Sequence, residues 1–257
     1  MISFQGIYIS HEVQCYLRRN LPQWMNYVTA NEILREKCGL IDFFNNQDEI
    51  KLLSEYLSTL NPLVQEEDRT EYGDFQTNVA LANKIVRQLA KEGISPQIVI
   101  EPTFGKGSFI LSALQNFDDI KHVLGVEIYR PYFWETKFSV LDHFLNYPEK
   151  TKPLIRLFHQ DVFDFNFQHY KHEFAGEKIL VLGNPPWVTN SELSSLGSEN
   201  LPIKSNFKNL NGFDAITGKG NFDIGEYITV MLLRAFHKVE GWMAFLVKNT
   251  VIKKCRS

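Results

Sequence analysis

Apolar positions recur along the chain with two different periods. From residue 97 onward there are short, nearly unbroken apolar runs: Gln97-Ile-Val-Ile-Glu101, His122-Val-Leu-Gly-Val-Glu127, Leu154-Ile-Arg-Leu-Phe158, Ile179-Leu-Val-Leu182 and Gly241-Trp-Met-Ala-Phe-Leu-Val247. Runs of this kind, bounded by Gly, Pro or an acid, predict buried parallel strands. Between them the apolar residues fall at helical spacing. Val79, Ala82, Ile85, Val86 and Leu89 form one side of a helix from Asn78 to Glu92, with Gly93 as its stop. Phe109 to Leu114 opens a second helix. Pro131 to Phe144 is a third, whose Phe133, Trp134, Phe138, Leu141 and Leu145 read as core. A fourth runs from Phe222 through Phe236. Strands alternating with helices predict a doubly wound α/β domain with a mostly parallel sheet, over residues 72–257.

The first 71 residues read differently. Thr29-Ala-Asn-Glu32 has capping-box spacing ahead of Ile33, Leu34 and Leu40. Asp48 to Leu60 carries the helical stripe Ile50, Leu52, Leu53, Tyr56 and Leu57. Asn61-Pro62 and the polar run Gln65 to Tyr72 predict a linker. Residues 1–71 are therefore expected to be a helical extension and linker packed on the main domain, with no catalytic constellation.

The most informative stretch follows the fourth apolar run, where Gly183 leads into Asn184-Pro185-Pro186-Trp187. Ligands of open parallel sheets bind beyond the carboxyl ends of the strands. Asn184 offers a side-chain carbonyl oxygen. Pro185 has a backbone carbonyl but no N–H, and its ring stiffens that acceptor. Two fixed acceptors suit an exocyclic NH2 with two hydrogens to give, and Trp187 is a flat face on which a base can stack. Pro-Pro-Trp alone reads as a rigid turn with a core tryptophan. With Asn184 in front, and a glycine-rich turn upstream, it reads as a pocket for an amino-bearing planar ring.

That upstream turn is Pro102-Thr-Phe-Gly105-Lys-Gly107-Ser-Phe109, between the first strand and a helix. Gly105 and Gly107 allow a tight turn and close approach to a ligand. It is not a Walker A loop, because Ile100 and Gly107 occupy positions that need Gly and Ser or Thr. Ile110 stands where a dinucleotide fingerprint has its third glycine. Glu127 ends the second strand about twenty residues past the glycines, a spacing that fits a carboxylate on ribose hydroxyls. Thr77 read alone is a helix N-cap. Asp161, after the third strand, can either cap a turn or accept from an adenine amino group with Phe163 against the ring. His169 and His172 have no other ligand type grouped with them and read as surface histidines.

Asn-Pro-Pro followed by an aromatic resembles the catalytic motif of S-adenosylmethionine-dependent amino methyltransferases, among them adenine-N6 and cytosine-N4 DNA methyltransferases. Glu101-Pro-x-x-Gly-x-Gly-x-Phe resembles the first motif of the DNA enzymes. Tyr72-Gly-Asp-Phe-Gln-Thr77 is similar to the segment that precedes the cofactor domain in the gamma type, though Asn78 replaces that pattern's proline. Gly218-Lys-Gly-Asn-Phe-Asp223 is similar to a stretch that follows the catalytic loop there. The resemblance implies a class I methyltransferase fold that takes S-adenosyl-L-methionine as cofactor. It implies that Asn184, Pro185, Pro186 and Trp187 are catalytic. It further implies that Thr77, Glu101, Pro102, Gly105, Gly107, Glu127, Asp161 and Phe163 hold the cofactor, Glu101 against its α-ammonium. The expected reaction is site-specific methylation of DNA at adenine N6 in a restriction-modification system. Cytosine N4 offers the same NH2. Glutamine-N5 protein and RNA amino methyltransferases carry related tetrapeptides. A subunit that only binds cofactor is the reading outside enzymes.

Composition narrows this little. Of 257 residues, 44% are hydrophobic and 22% charged, with net charge −3 from 27 Lys+Arg against 30 Asp+Glu. Proteins that grip duplex DNA by themselves are usually more basic, so any basic surface is local or lies on another domain or partner chain. Cys15, Cys38 and Cys255 have no metal-type spacing and no disulfide pattern, and none follows a proline as a cytosine-C5 nucleophile would. No metal is expected. With no signal peptide and no membrane-length apolar run, a cytoplasmic location is expected. The polar stretch from Val188 to Asn221 is long for a loop, and its Lys204, Lys208 and Lys219 could meet phosphates. The resemblance implies two more strands beyond the fifth and then a target-recognition domain. The 257-residue chain is therefore expected to be incomplete, with an exposed sheet edge and little site-specific methylation unless a partner supplies the rest.

Overall fold

The structure is a computed structural model that describes residues 3–60, 76–187 and 224–247. The chain opens with α1 (His11–Asn20), a 3-10 turn (Leu21–Gln23), α2 (Tyr27–Cys38) and α3 (Gln47–Thr59). It continues with α4 (Val79–Lys91), β1 (Ile98–Glu101), α5 (Ser108–Asn116), β2 (His122–Glu127), α6 (Arg130–Asn146) and β3 (Leu154–His159). Then come α7 (Phe167–Glu173), β4 (Ile179–Gly183), α8 (Ile224–Ala235) and β5 (Gly241–Phe245).

The strands form one sheet in the order β3-β2-β1-β4-β5, every pair parallel. The chain winds outward from β1 through β2 to β3, then returns to lay β4 against the other side of β1. The topological switch therefore lies between β1 and β4, and a crevice opens at the carboxyl ends there. The register brings Ile100 opposite Val181, so Glu101 and Gly183 end their strands side by side.

Alternate strand residues serve two cores, which is why the runs are apolar without alternation. Val99, Val123, Ile155 and Leu180 face α4, α5, α6 and the N-terminal helices. Ile98, Ile100, Leu124 and Val181 face α7 and α8. Helices on both faces of a parallel sheet make this the doubly wound α/β fold of the class I methyltransferase type.

The N-terminal helices share the first of these cores. Phe4, Phe43 and Phe44 pack around Trp134 of α6. Residues 39–41 run beside β3: Gly39 O accepts the Ile155 N–H at 2.9 Å, and Ile41 N–H donates to Ile155 O at 2.8 Å. This covers the outer edge of β3, which would otherwise present unpaired backbone groups. Lys137 of α6 is buried there and donates to Asp42 O at 3.1 Å and Phe43 O at 2.8 Å.

Three local expectations change. α2 starts at Tyr27, with Asn26 accepting the Thr29 N–H at 2.9 Å, so Thr29 lies within the helix and is not its cap. α4 is capped by Asn78, which accepts from Ala80 N–H at 2.8 Å, and not by Thr77. Asn leads Thr as an N-cap, and Thr77 is engaged elsewhere. The short α7 was not expected, because its seven residues carry no helical apolar stripe; it contains His169 and His172. Gly93 does follow α4 with φ +82°. The stretch 188–221, with Lys204, Lys208 and Lys219, lies outside the described residues, as do Gly73 and Cys255.

Candidate active site

Two acids meet at the carboxyl ends of neighbouring strands. Glu101 ends β1 and is buried. Its Oε2 accepts the Ile110 N–H of α5 at 3.1 Å. Burial pushes its carboxyl well above the usual range; the Ile110 N–H pulls it down and the nearby Glu127 pushes it up again. Glu127 ends β2. Its Oε2 accepts the Gly105 N–H at 2.8 Å and its Oε1 the Tyr129 N–H at 2.6 Å. One carboxylate thereby holds both the glycine turn and the loop that opens α6.

Within the turn, Gly105 has φ +52° and Gly107 φ +74°, conformations that favour glycine. There is no room for a side chain either. A Cβ on Gly105 would meet Gln76 Oε1 at 2.2 Å, and one on Gly107 would meet Thr136 Cγ2 at 2.5 Å. Thr136 Oγ1 donates to Gly105 O at 3.0 Å, tying the turn to α6. Gly107 is the N-cap of α5 and has no side chain to offer, so Glu101 satisfies the Ile110 donor in its place.

Asn184 follows β4. Its Nδ2 donates to Thr77 Oγ1 at 3.2 Å, while its Oδ1 is buried and has no hydrogen-bond partner among the described residues. Pro185 is buried and Pro186 exposed. Trp187 is 44% exposed, and its Nε1 donates to Leu246 O at 3.2 Å. Leu246 N–H in turn donates to Gly183 O at 3.0 Å. The indole is thus anchored to the chain beyond β5, with part of its surface open.

These groups border one cavity of about 260 Å³. From the expected set it is lined by Thr77, Glu101, Gly105, Glu127, Asn184, Pro186 and Trp187. Pro102, Gly107 and Pro185 do not border it, and neither do Asp161 and Phe163. Asp161 Oδ1 accepts the Phe163 N–H at 2.9 Å, the turn-capping arrangement, and burial with the charge of Asp164 raises its carboxyl against the pull of that N–H. The Phe163 ring packs 5.2 Å from that of Tyr227 on α8.

Gln76, Thr103, Ser108, Tyr129 and Tyr132 also line the cavity and were not singled out from the sequence. For the tyrosines a signal existed: residues directly behind a strand-end acid are carried toward the same crevice. Thr103 Oγ1, like Asn184 Oδ1, is buried without a partner. Buried polar atoms are normally hydrogen-bonded, so two orphans on one cavity mark it as a place for a polar ligand. Among the described residues no cluster of His, Cys, Asp or Glu could hold a metal ion, and no helix is long and apolar enough to cross a membrane.

The chain is 39% identical over 196 residues to the type II methyltransferase M.NspV of Nostoc sp. (strain ATCC 29411 / PCC 7524). Over that stretch it is related to this type II methyltransferase. The match takes in 74% of the chain and 38% of that protein, so the chain spans well under half its relative's length. Among solved structures, the type IIG restriction endonuclease BpuSI aligns over 88% of this chain and 29% of its own, at 14% identity and a TM-score of 0.45. The type I restriction-modification methyltransferase subunit from Streptococcus thermophilus aligns over 92% of this chain and 55% of its own, at 11% identity and a TM-score of 0.43. No protein-family model matches the chain.

Proposed function

We propose that the chain carries the methyl-transfer site of a restriction-modification DNA methyltransferase, and that it methylates the exocyclic N6 of a flipped-out adenine. The observation that carries this reading is the buried, unpartnered Asn184 Oδ1. Asn184 directly follows β4, the strand beside the one that Glu101 ends, on a cavity that a half-exposed indole also borders. The relationship to a type II methyltransferase supports the reaction class.

The cavity's residues fit S-adenosylmethionine. Glu101 is a buried acid with one backbone donor on Oε2, and a ligand ammonium would offset the cost of its charge. Glu127 can accept from ribose hydroxyls. The bare backbone of the glycine turn leaves room for close approach, and Tyr129 and Tyr132 offer ring faces. The orphan Thr103 hydroxyl is available to the cofactor's polar end. When bound, S-adenosylmethionine supplies a methyl group activated by its sulfonium.

The chain's own residues then do the positioning. A target base inside duplex DNA must leave the stack to be reached. Trp187 takes the flipped ring on its face. Asn184 Oδ1 and the Pro185 carbonyl accept its two N–H bonds. Tightening of these bonds turns the nitrogen lone pair out of the ring plane toward the incoming methyl. The nitrogen would form the new N–C bond as the methyl's bond to the sulfonium sulfur breaks and the neutral thioether leaves, and would afterwards give a proton to solvent. Fixed dipoles and orientation supply the rate.

The test is incubation of the protein, together with any partner chain that co-purifies with it, with labelled S-adenosylmethionine and mixed-sequence DNA, followed by mass spectrometry of the nucleosides. N6-methyladenine that disappears in Asn184→Ala, with cofactor affinity retained, is the expected result. N4-methylcytosine would keep the mechanism and change the base. Label in protein and none in DNA, or equal loss of transfer and cofactor binding in Asn184→Ala, would defeat the assignment.

A further inference from the structure

The pair Gln76 and Thr77 lies between the glycine turn and the end of β4 and is bonded to both. Gln76 Oε1 accepts the Lys106 N–H at 3.0 Å. Thr77 O accepts from Ser108 Oγ at 2.8 Å. On the other side, Thr77 Oγ1 accepts from Asn184 Nδ2 at 3.2 Å, across 107 residues of sequence. All three partners sit at the carboxyl end of the sheet, and Thr77 makes the bond to Asn184.

A primary amide has a donor end and an acceptor end of nearly the same shape. Rotated by half a turn about its last side-chain bond, Asn184 would present NH2 where it now presents oxygen. It would then repel an amine that needs acceptors. The amide fills its site equally well either way, so packing does not choose between the two orientations; a hydrogen bond must. Among the described residues, the one hydrogen bond on the Asn184 side chain is the Nδ2–Thr77 Oγ1 contact, and it leaves Oδ1 as the buried atom without a partner.

We infer that Thr77 is a positioning residue: its hydroxyl oxygen holds the Asn184 amide with Oδ1 facing the substrate amine. The inference rests on the reading of Asn184 as the acceptor for that amine. A hydroxyl has two acceptor lone pairs and one hydrogen; here it accepts from the amide NH2, and it selects this orientation as long as its hydrogen is given to an acceptor other than Asn184, since donated to Asn184 it would hold Oδ1 in place of Nδ2. The Gln76 and Ser108 bonds hold Thr77 to the glycine turn, so the amide takes its orientation from the element that forms the cavity floor.

Thr77→Val keeps the side-chain shape and removes the acceptor, whereas Thr77→Ser keeps the acceptor. In 15N spectra of the full chain, the Asn184 side-chain NH2 pair is identified by its loss in Asn184→Asp. That pair is expected to shift in Thr77→Val and to stay near its parent position in Thr77→Ser. In methylation assays Thr77→Val should lower kcat about 100-fold, the scale of a small misplacement of a reacting group, with KM for DNA and the affinity for S-adenosylhomocysteine changed little. Thr77→Ser should recover most of kcat. An unmoved Asn184 signal in Thr77→Val overturns the inference, as does a loss of cofactor affinity that matches the loss of rate. Asn184→Ala separates the two layers. If that variant still methylates DNA, the reading of the site fails; if it is inactive while Thr77→Val is not, only the role of Thr77 fails.

Discussion

Glu101 Oε2 accepts the Ile110 N–H at 3.1 Å, so the acid that ends β1 caps the helix that follows the glycine turn. The bond ties the strand end to α5 and aims the carboxylate along the helix N-terminus, where negative charge is favoured. Burial works the other way and raises this carboxyl well above its ordinary range. Glu101 is therefore poised to gain from a cation and is costly without one.

Glu101→Gln separates these two effects. A carboxyl raised in the folded state contributes stability that is full below the unfolded value and is lost as pH rises through the folded one. The amide mimics the protonated acid at every pH and can still accept from Ile110. The cofactor-free variant should match the parent in acid and be more stable than it at neutral and alkaline pH, read by urea midpoints. S-adenosylhomocysteine should bind it about 10- to 100-fold more weakly, the loss of one charge-assisted bond of roughly 1.5–3 kcal/mol. A variant that binds the cofactor product as tightly as the parent would remove Glu101 from the cofactor site.

Trp187 offers a second test through two substitutions. Trp187→Ala should raise KM for DNA about 10- to 100-fold, because stacking a base on an aromatic ring contributes roughly 1–3 kcal/mol. Trp187→Phe keeps a ring but loses the Nε1 bond to Leu246 O. It should fall between parent and alanine. If phenylalanine is as poor as alanine, the indole serves to anchor the loop to β5 and not to receive a base.

The glycine turn predicts a defect that begins in the fold and reaches the cavity. Gly107→Ala forces a side chain onto a residue with φ +74° and drives its Cβ toward Thr136. Backbone strain of this kind costs about 1–3 kcal/mol, and the clash adds to it. A lowered urea midpoint is expected, along with weaker cofactor binding, because Thr136 also holds Gly105 O. An unchanged midpoint would mean that α6 yields there at no cost.

Much of this site could be read from local chemistry. The apolar runs that end in Glu101, Glu127 and Gly183 lie within two residues of the strands, because burial on both faces leaves an unmistakable run. What escaped depends on contacts distant in sequence. Thr77 and Asn78 are both cap-type residues, and nothing near them says that Thr77 is bound to Asn184. Gln76 looks like any polar residue before a helix until Lys106 N–H is found on it. Asp161 had two readings, and only its bond to Phe163 N–H puts it in a turn. The path of residues 39–41 beside β3 has no sequence pattern, since it uses backbone groups alone.

The last prediction concerns Lys137, which joins the N-terminal helices to α6. Its ammonium lies 4.0 Å from the ring centre of Phe133 and 4.7 Å from that of Trp134, and it donates to Asp42 O and Phe43 O. Burial pulls its pKa down from 10.5 to about 7, against the upward pull of the Glu49 and Asp42 carboxylates and with Arg130 adding to the depression. His159, also near, is itself lowered, first by burial. Between about pH 7 and the ordinary lysine range, the unfolded chain holds a proton on Lys137 that the folded chain does not. Folding stability must then rise with pH across that window, by at most about 1.4 kcal/mol per pH unit for one proton. Lys137→Met keeps a flexible apolar stem of similar length and removes the titration. It also leaves two carbonyls without their donor, so the variant should be less stable than the parent at pH 9. The diagnostic is the slope. Urea unfolding at pH 7, 8 and 9 should show the parent gaining stability relative to Lys137→Met at each step. Parallel curves would mean that the two carbonyls and the aromatic faces keep Lys137 charged throughout, and that the N-terminal helices are held to α6 by an ordinary buried cation.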